Sequence, residues 1–308
     1  MTNSLLDVID KVDSYSYEPD HSNYTLYAHD GLTAIGLIRV DIAQHFGNSS
    51  GFSINHETKS VSIDSQYDTI SKRDELFASI ASQWRKYPEF EQLLDHGWRN
   101  ELYTVYNPSS VPYLHLERAF SVLTGCITYG THLCGYVPAN KSSNGKLKIW
   151  IPRRSKTKST FPGLLDNTVA GGLGYPYGIW ETVVKESYEE AGLSGSFIES
   201  HTKAAGVLSY MYLTEDNRVQ PEVEFLYDIE FDDEHTVVPI PVDGEAEDFQ
   251  LLEVEDILVK IKNNEFKPNS ALVVIDFLIR HGIITPESEK FYGQIVSRSH
   301  RRLPFPTL

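Results

Sequence analysis

Residues 167–193 read NTVAGGLGYPYGIWETVVKESYEEAGL. A β-branched stretch runs into the glycine pair Gly171–Gly172, then a Pro- and Gly-containing loop, then an amphipathic stretch from about Trp180 to Ala191. Gly192 follows where a helix C-cap glycine belongs. This order predicts a strand, a glycine turn and a helix. On that helix Glu186, Glu189 and Glu190 stand three and four residues apart and share one face. Concentrated like charge is costly unless a cation compensates it, and carboxylate clusters suit hard divalent ions such as Mg²⁺. Glutamate runs are common on solvated helix faces. The glycine-rich approach sets this one apart, because glycine lets a backbone come close to a ligand.

The surrounding chain predicts a sheet carrying helices on its faces, an α/β organisation. "FSVLTGCITYGTHLCGYV" and "KLKIWIPRR", separated by the turn-forming "NKSSNG", read as two strands of one sheet. Further strand signals lie in "AAGVLSYMYL" and "VEFLYDIEF", and "LEVEDILVKIKN", "NSALVVIDFLIRHG" and "PESEKFYGQIVSRSH" read as closing helices. The first ~115 residues form a small α/β unit by the same periodicity. It includes helices at "SLLDVIDKVDSY", "KRDELFASIASQWRKY" and "EFEQLLDHGW" and mixed signals in "GLTAIGLIRVDIAQHF". A chain of 308 residues suits two domains, divided here as 1–115 and 116–308.

The net charge of −16 argues against non-specific binding to nucleic acid or an anionic membrane. An anionic substrate therefore needs a local basic patch or a bridging cation. The densest basic group is "PRRSKTK", whose Arg153, Arg154, Lys156 and Lys158 are expected to recognise phosphate. Cys126 and Cys134 are too few for a disulfide scaffold and read as buried thiols. No apolar run approaches the ~20 residues of a membrane span. The acidic N-terminus lacks the basic start and apolar core of a signal peptide. A cytoplasmic protein is the expectation.

The stretch around the glutamates resembles the Nudix box: a glycine, five residues, Glu, seven residues, then Arg-Glu-apolar-x-Glu-Glu-x-Gly-apolar. Its second half is matched by Lys185-Glu186-Ser187-Tyr188-Glu189-Glu190-Ala191-Gly192-Leu193. Lys185 replaces the arginine, and Ser187 sits where an apolar residue is usual. Tyr177 and Gly178 fall where the loop glutamate is expected. Glu181, four residues before Lys185, is read as the partner in a surrogate structural pair. "GWRNELYTVYN" (97–107), residues 117–137, "FPGLLDNTVAGG", "DGEAEDFQLL" and "FKPNSALVVIDFLIRHG" resemble one Nudix branch. That branch carries an extra N-terminal domain and is often labelled thiamine pyrophosphokinase-related.

This resemblance implies a Nudix α/β/α sandwich with an additional N-terminal α/β domain. It also implies Mg²⁺-dependent hydrolysis, with Mn²⁺ as the other candidate ion, of thiamine diphosphate and its damaged oxy and oxo forms to the monophosphate. Glu186, Glu190 and the Ala170 carbonyl become metal ligands, and Glu189 a ligand or water-orienting group. The general base is Glu189, Glu190, or one of the loop acids Glu245 and Glu247. The implied partner is a small-molecule diphosphate. An ADP-ribose or dinucleotide pyrophosphatase and a catalytically silent binding module are the rivals. Oligomeric state stays open. Tyr129 and His132 are expected to face the organic part of the substrate. A pocket so lined lacks a dedicated carboxylate, and should favour a neutral oxo form. Trp98 and Arg99 read as a lid or an interdomain contact, and the tail "SHRRLPFP" as a surface segment.

Overall fold

The computed structural model describes residues 4–18 and 22–308. The extremities of the acidic N-terminal stretch read above, residues 1–3 and 19–20, lie outside the described residues.

In chain order the elements are α1 (Leu6–Val12), β1 (Tyr24–Tyr27), β2 (Ala34–Ile38), α2 (Val40–Gly47), β3 (Phe52–Asn55), β4 (Ser60–Ile63) and α3 (Ile70–Trp84). After a 3₁₀ turn and a π turn come β5 (Leu102–Tyr106), β6 (Pro112–Glu117) and α4 (Arg118–Thr124). The second half holds β7 (Thr128–Val137), β8 (Lys148–Arg154), β9 (Val169–Gly172), β10 (Gly174–Tyr175), α5 (Ile179–Ala191) and α6 (Gly195–His201). It closes with β11 (Thr202–Leu213), β12 (Val219–Glu230), β13 (Ala246–Glu253), α7 (Val254–Lys262), α8 (Pro268–Arg280) and α9 (Tyr292–Arg298).

Among the described residues three sheets form, in the orders β2-β1-β4-β3, β10-β5-β6 and β11-β12-β7-β8-β13. In the third sheet β7 shares one edge between two partners. Its first half pairs with β9, from Gly130↔Gly172 to Leu133↔Val169, and its end pairs with β8 at Tyr136↔Ile149 and Val137↔Lys148. Side chains alternate across a strand. Leu133 and Val137 accordingly pack on Val183 and Ala191 of α5, whereas Cys134 and Tyr136 pack with α8. Helices α5 and α8 thus cover opposite faces of one sheet.

Several expected elements differ. Residues 120–124, read as strand, belong to α4, because the Glu117 carboxylate accepts from the Ala119 amide at its N-cap and Gly125 ends it at φ 60°. "EFEQLLDHGW" yields only short 3₁₀ and π turns at 88–95, and the last predicted helix shortens to α9. The tail is no surface segment. Leu303 and Phe305 are buried, the Arg301 guanidinium donates to the Tyr15 carbonyl and the Asp13 carboxylate, and the Leu308 amide donates to Tyr129 Oη. The cysteines are free, buried thiols.

Packing divides the chain differently from a cut at residue 116. The first core runs from Tyr24 to Cys126 and takes in Leu116, Phe120 and Leu123. Leu5, Val8, Ile9 and Val12 of the α1 segment instead join α8 and the large sheet in the second core. Between the units, β10 pairs antiparallel with β5, Gly174 opposite Tyr103. No helix among the described residues is long and apolar enough to cross a membrane.

Candidate active site

The acidic helix begins at Gly178, whose amide donates to Glu181 Oε2 at 2.9 Å, and ends at Gly192 in the left-handed region at φ 65°. This capping interaction occupies Glu181, so the expected Glu181–Lys185 pair does not form. Lys185 Nζ instead lies 2.8 Å from Glu186 Oε1 and 2.8 Å from Glu189 Oε2. The cation between these two glutamates is a lysine of the same helix. Glu189 is the more exposed of the two.

Glu190 turns away from them. Its Oε2 accepts a 2.8 Å hydrogen bond from the Ala170 amide of β9 and joins α5 to the strand. Burial raises its pKa well above the usual carboxylate range, and Glu186, Asp166 and Glu245 push the same way. Glu186 is also raised, first by burial. It lies flat on β9: a Cβ at Gly171 would stand 2.2 Å from Glu186 Cγ, and only glycine admits that approach. The three box glutamates are therefore on one helix but do not converge on one point. Among the described residues no set of three or more His, Cys, Asp or Glu side chains closes into a metal-holding group. The donor chemistry nonetheless fits a hard divalent cation. All the donors are oxygens, and burial disfavours the charged form of both half-buried carboxylates, with Glu186 adding to the effect on Glu190.

Glu190 lines a cavity of about 30 Å³ together with Arg154, Asp166, Asn167, Thr168, Glu245 and Phe249. That is room for roughly one water molecule. Arg154 Nη1 makes a 2.6 Å ion pair with Asp166 and donates from its other nitrogens to the carbonyls of Thr160 and Phe161. It therefore folds the 160–166 loop against the cavity. Burial alone would raise the Asp166 pKa, yet Lys267 and then Arg154 hold it down at about 2. Arg153 donates to the Gly163 carbonyl, Lys158 pairs with Glu245, and Lys156 is exposed. Of the loop acids, Glu245 reaches the cavity rim. Glu247 is exposed in the bulge where the β13–β8 register skips from Ala246 to Asp248.

Tyr129 and His132 are three apart on β7 and face opposite sides of the sheet. Tyr129 packs in a separate cluster with Leu173 and Phe305. His132 lies on the α8 face, its Nδ1 2.7 Å from Asn167 Oδ1 and its Nε2 3.5 Å from Glu224 Oε2. The expectation of a pocket without a carboxylate fails at this contact.

Lys267, Arg118 and Glu224 went unsingled in the sequence. The half-buried Lys267 ammonium acts on Asp166, His132, Glu222 and Glu224, with no carboxylate within ion-pair distance among the described residues. A lysine at the N-cap of α8 opposes the helix dipole, and that mismatch was a legible signal. Arg118 pairs with Glu101 at 2.8 Å and leaves half its side chain exposed. Arg99 Nη2 donates to Ser159 Oγ across the domain junction, while Trp98 Nε1 bonds Asn100 within its own loop.

Residues 140–272 match the NUDIX domain, and residues 6–128 match DUF4743, a domain of unknown function. The chain therefore carries a Nudix domain behind an N-terminal DUF4743 domain, and the large sheet between α5 and α8 is its α/β/α sandwich. The uncharacterized protein YJR142W of Saccharomyces cerevisiae is 51% identical over 222 residues, 69% of this chain and 64% of that protein. Nudix hydrolase 20, chloroplastic, of Arabidopsis thaliana is 41% identical over 63% of this chain and 50% of its own length. Nudix hydrolase 24, chloroplastic, of the same plant is 41% identical over 62% and 51%. The chain thus spans less than two thirds of each of these relatives.

Proposed function

We propose that the protein is a divalent-metal-dependent Nudix hydrolase. It cleaves the diphosphate of thiamine diphosphate and of its oxy and oxo forms, leaving the monophosphate and inorganic phosphate. The observation that carries this reading is the seat of Glu190. Within a matched Nudix domain, a carboxylate rests on the amide of the glycine-rich strand, at a cavity shared with Arg154, Asp166 and Glu245. The thiamine end rests on the resemblance of residues 97–107 and 117–137 to that branch.

In this reading Glu186, Glu190 and the Ala170 carbonyl would hold Mg²⁺ or Mn²⁺, with Glu189 joining after it leaves Lys185. A divalent ion held there would neutralise phosphoryl charge and make a nearby water more acidic. Arg154 keeps the 160–166 loop folded around the reacting phosphate. Lys267 and Arg118 supply the positive charge that an acidic chain otherwise lacks, and Glu245 on the rim accepts the proton from water.

The test is a product analysis with Mg²⁺ across thiamine diphosphate, its oxy and oxo analogues, ADP-ribose and NADH. Release of thiamine monophosphates with inorganic phosphate supports the proposal. Turnover confined to ADP-ribose or NADH moves the substrate to the dinucleotide class. No turnover on any of them makes the domain a binding module.

A further inference from the structure

On the face of the large sheet away from α5, two strands carry polar side chains into the interior. Gln220, Glu222 and Glu224 alternate along β12, and the register sets Glu222 beside Thr128 and Glu224 beside Gly130 of β7. Gly130 in turn pairs with Gly172 of β9. These two glycines leave a bare patch of sheet, and the space above it is used. A Cβ on Gly130 would stand 2.3 Å from Glu224 Oε2, and one on Gly172 would stand 2.2 Å from Tyr103 Oη. Tyr103 belongs to β5 of the N-terminal domain, with the Arg118 guanidinium 5.5 Å from its ring centroid.

The hydrogen bonds over this patch do not close. Glu224 is only 5% exposed, yet its Oε2 has no hydrogen-bond partner among the described residues. His132 Nε2 stands 3.5 Å from it, within ion-pair reach but beyond the usual N–H···O hydrogen-bond range. Gln220 Oε1 on the same face is equally unmatched. The Tyr210 hydroxyl lies 2.7 Å from Glu222 Oε2 and 2.9 Å from Glu224 Oε1, but it has one proton to give. One of these two contacts therefore needs a proton held by the carboxylate pair. A buried carboxylate oxygen without a donor is costly, and native interiors rarely keep one.

The geometry points to a ligand subsite: we propose that Glu224, with Glu222 and Gln220, binds the organic end of the substrate. That end is a nitrogen heterocycle presenting N–H donors to Glu224 Oε2 and Gln220 Oε1, and it takes the place over Gly172 that Tyr103 Oη fills, so that Tyr103 swings aside to admit it. The attachment of this heterocycle to a diphosphate rests on the hydrolase reading above. The donor requirement does not, because it follows from unmatched acceptors.

Two measurements separate the claims. In the first, kcat/KM is compared for thiamine diphosphate, whose aminopyrimidine offers N–H donors, and dimethylallyl diphosphate, whose head has no nitrogen. Glu224→Gln replaces one acceptor oxygen by an amide donor and is expected to lower the ratio of the two by about tenfold. Gly130→Ala keeps the carboxylate but drives its Oε2 aside, and lowers the same ratio. Thermal unfolding of each variant checks that it folds. An equal fall on both substrates in folded variants overturns the subsite.

In the second, calorimetry follows unphosphorylated thiamine binding to metal-free protein. Binding that Glu224→Gln weakens supports the subsite, even where no diphosphate is hydrolysed and the hydrolase reading has failed. Equal binding by both proteins, or none by either, overturns it.

Discussion

Glu190 Oε2 accepts a 2.8 Å hydrogen bond from the backbone amide of Ala170, so the acidic helix holds the glycine-rich strand through a carboxylate. Glutamine keeps that bond through its amide oxygen and removes the charge. Glu190→Gln is expected to lower Mg²⁺-dependent turnover by ~10²-fold or more, about 2.7 kcal/mol of transition-state stabilisation. Stability should hold or rise, because burial and Glu186 already disfavour the charged form. Phosphate release and urea unfolding on one preparation check both halves. Near-normal turnover would remove Glu190 from the metal site.

The capping role of Glu181 gives a second outcome. Glu181→Gln is expected to cost about 0.5–1 kcal/mol through the weakened bond to the Gly178 amide. A double-mutant cycle between Glu181 and Lys185 should then show no coupling energy. One between Lys185 and Glu189 should show a few tenths of a kcal/mol, the size of an exposed helical pair. Substantial coupling at 181–185 would restore the surrogate pair.

Ser187 occupies the box position where an apolar residue is usual. It is fully buried, and its Oγ has no partner among the described residues. Ser187→Ala removes that hydroxyl at little cost in volume. It should stabilise the protein by about 1 kcal/mol, read as a shifted urea midpoint at constant slope. A loss of stability would mean the hydroxyl is bonded after all.

The Glu222–Glu224 pair predicts a pH dependence. Burial and then Glu224 raise the Glu222 pKa from 4.5 to about 7, with Tyr210, Tyr212 and Lys267 also facing it and acting the other way. Folding therefore favours the protonated carboxyl. Its contribution is complete below pH 4.5 and is lost as pH rises to about 7. Denaturant titrations across this range, wild type against Glu222→Gln, should show stability falling with pH more steeply in the wild type. Parallel profiles would refute the assignment.

Local signals carried the sequence reading where one residue's surroundings lie close in the chain. Helix α5 and its Gly192 stop were legible because periodicity and a left-handed glycine are properties of a dozen consecutive residues. Helix α4 was not. Seven residues are too few for a 3.6-residue period to stand out against β-branched neighbours, and its start is fixed by Glu117. The partner of Lys185 was misread because three glutamates lie within helical reach, and the Gly178 amide had already claimed Glu181. The meeting of His132 with Glu224 depends on the parallel register of β7 and β12, which no local pattern encodes. The same holds for Tyr103, which reaches Gly172 only because two domains abut.

The seating of α1 in the second core makes the smaller domain an insertion in the larger one. The chain leaves the sandwich after α1, builds the first core, and returns before β7. Two tethers join the units where a tandem arrangement has one. A body held at two points turns about the line between them, and loses the free swivel of a domain on a single linker. With β5 also paired to β10, Tyr103 is delivered to Gly172 by the path of the chain itself.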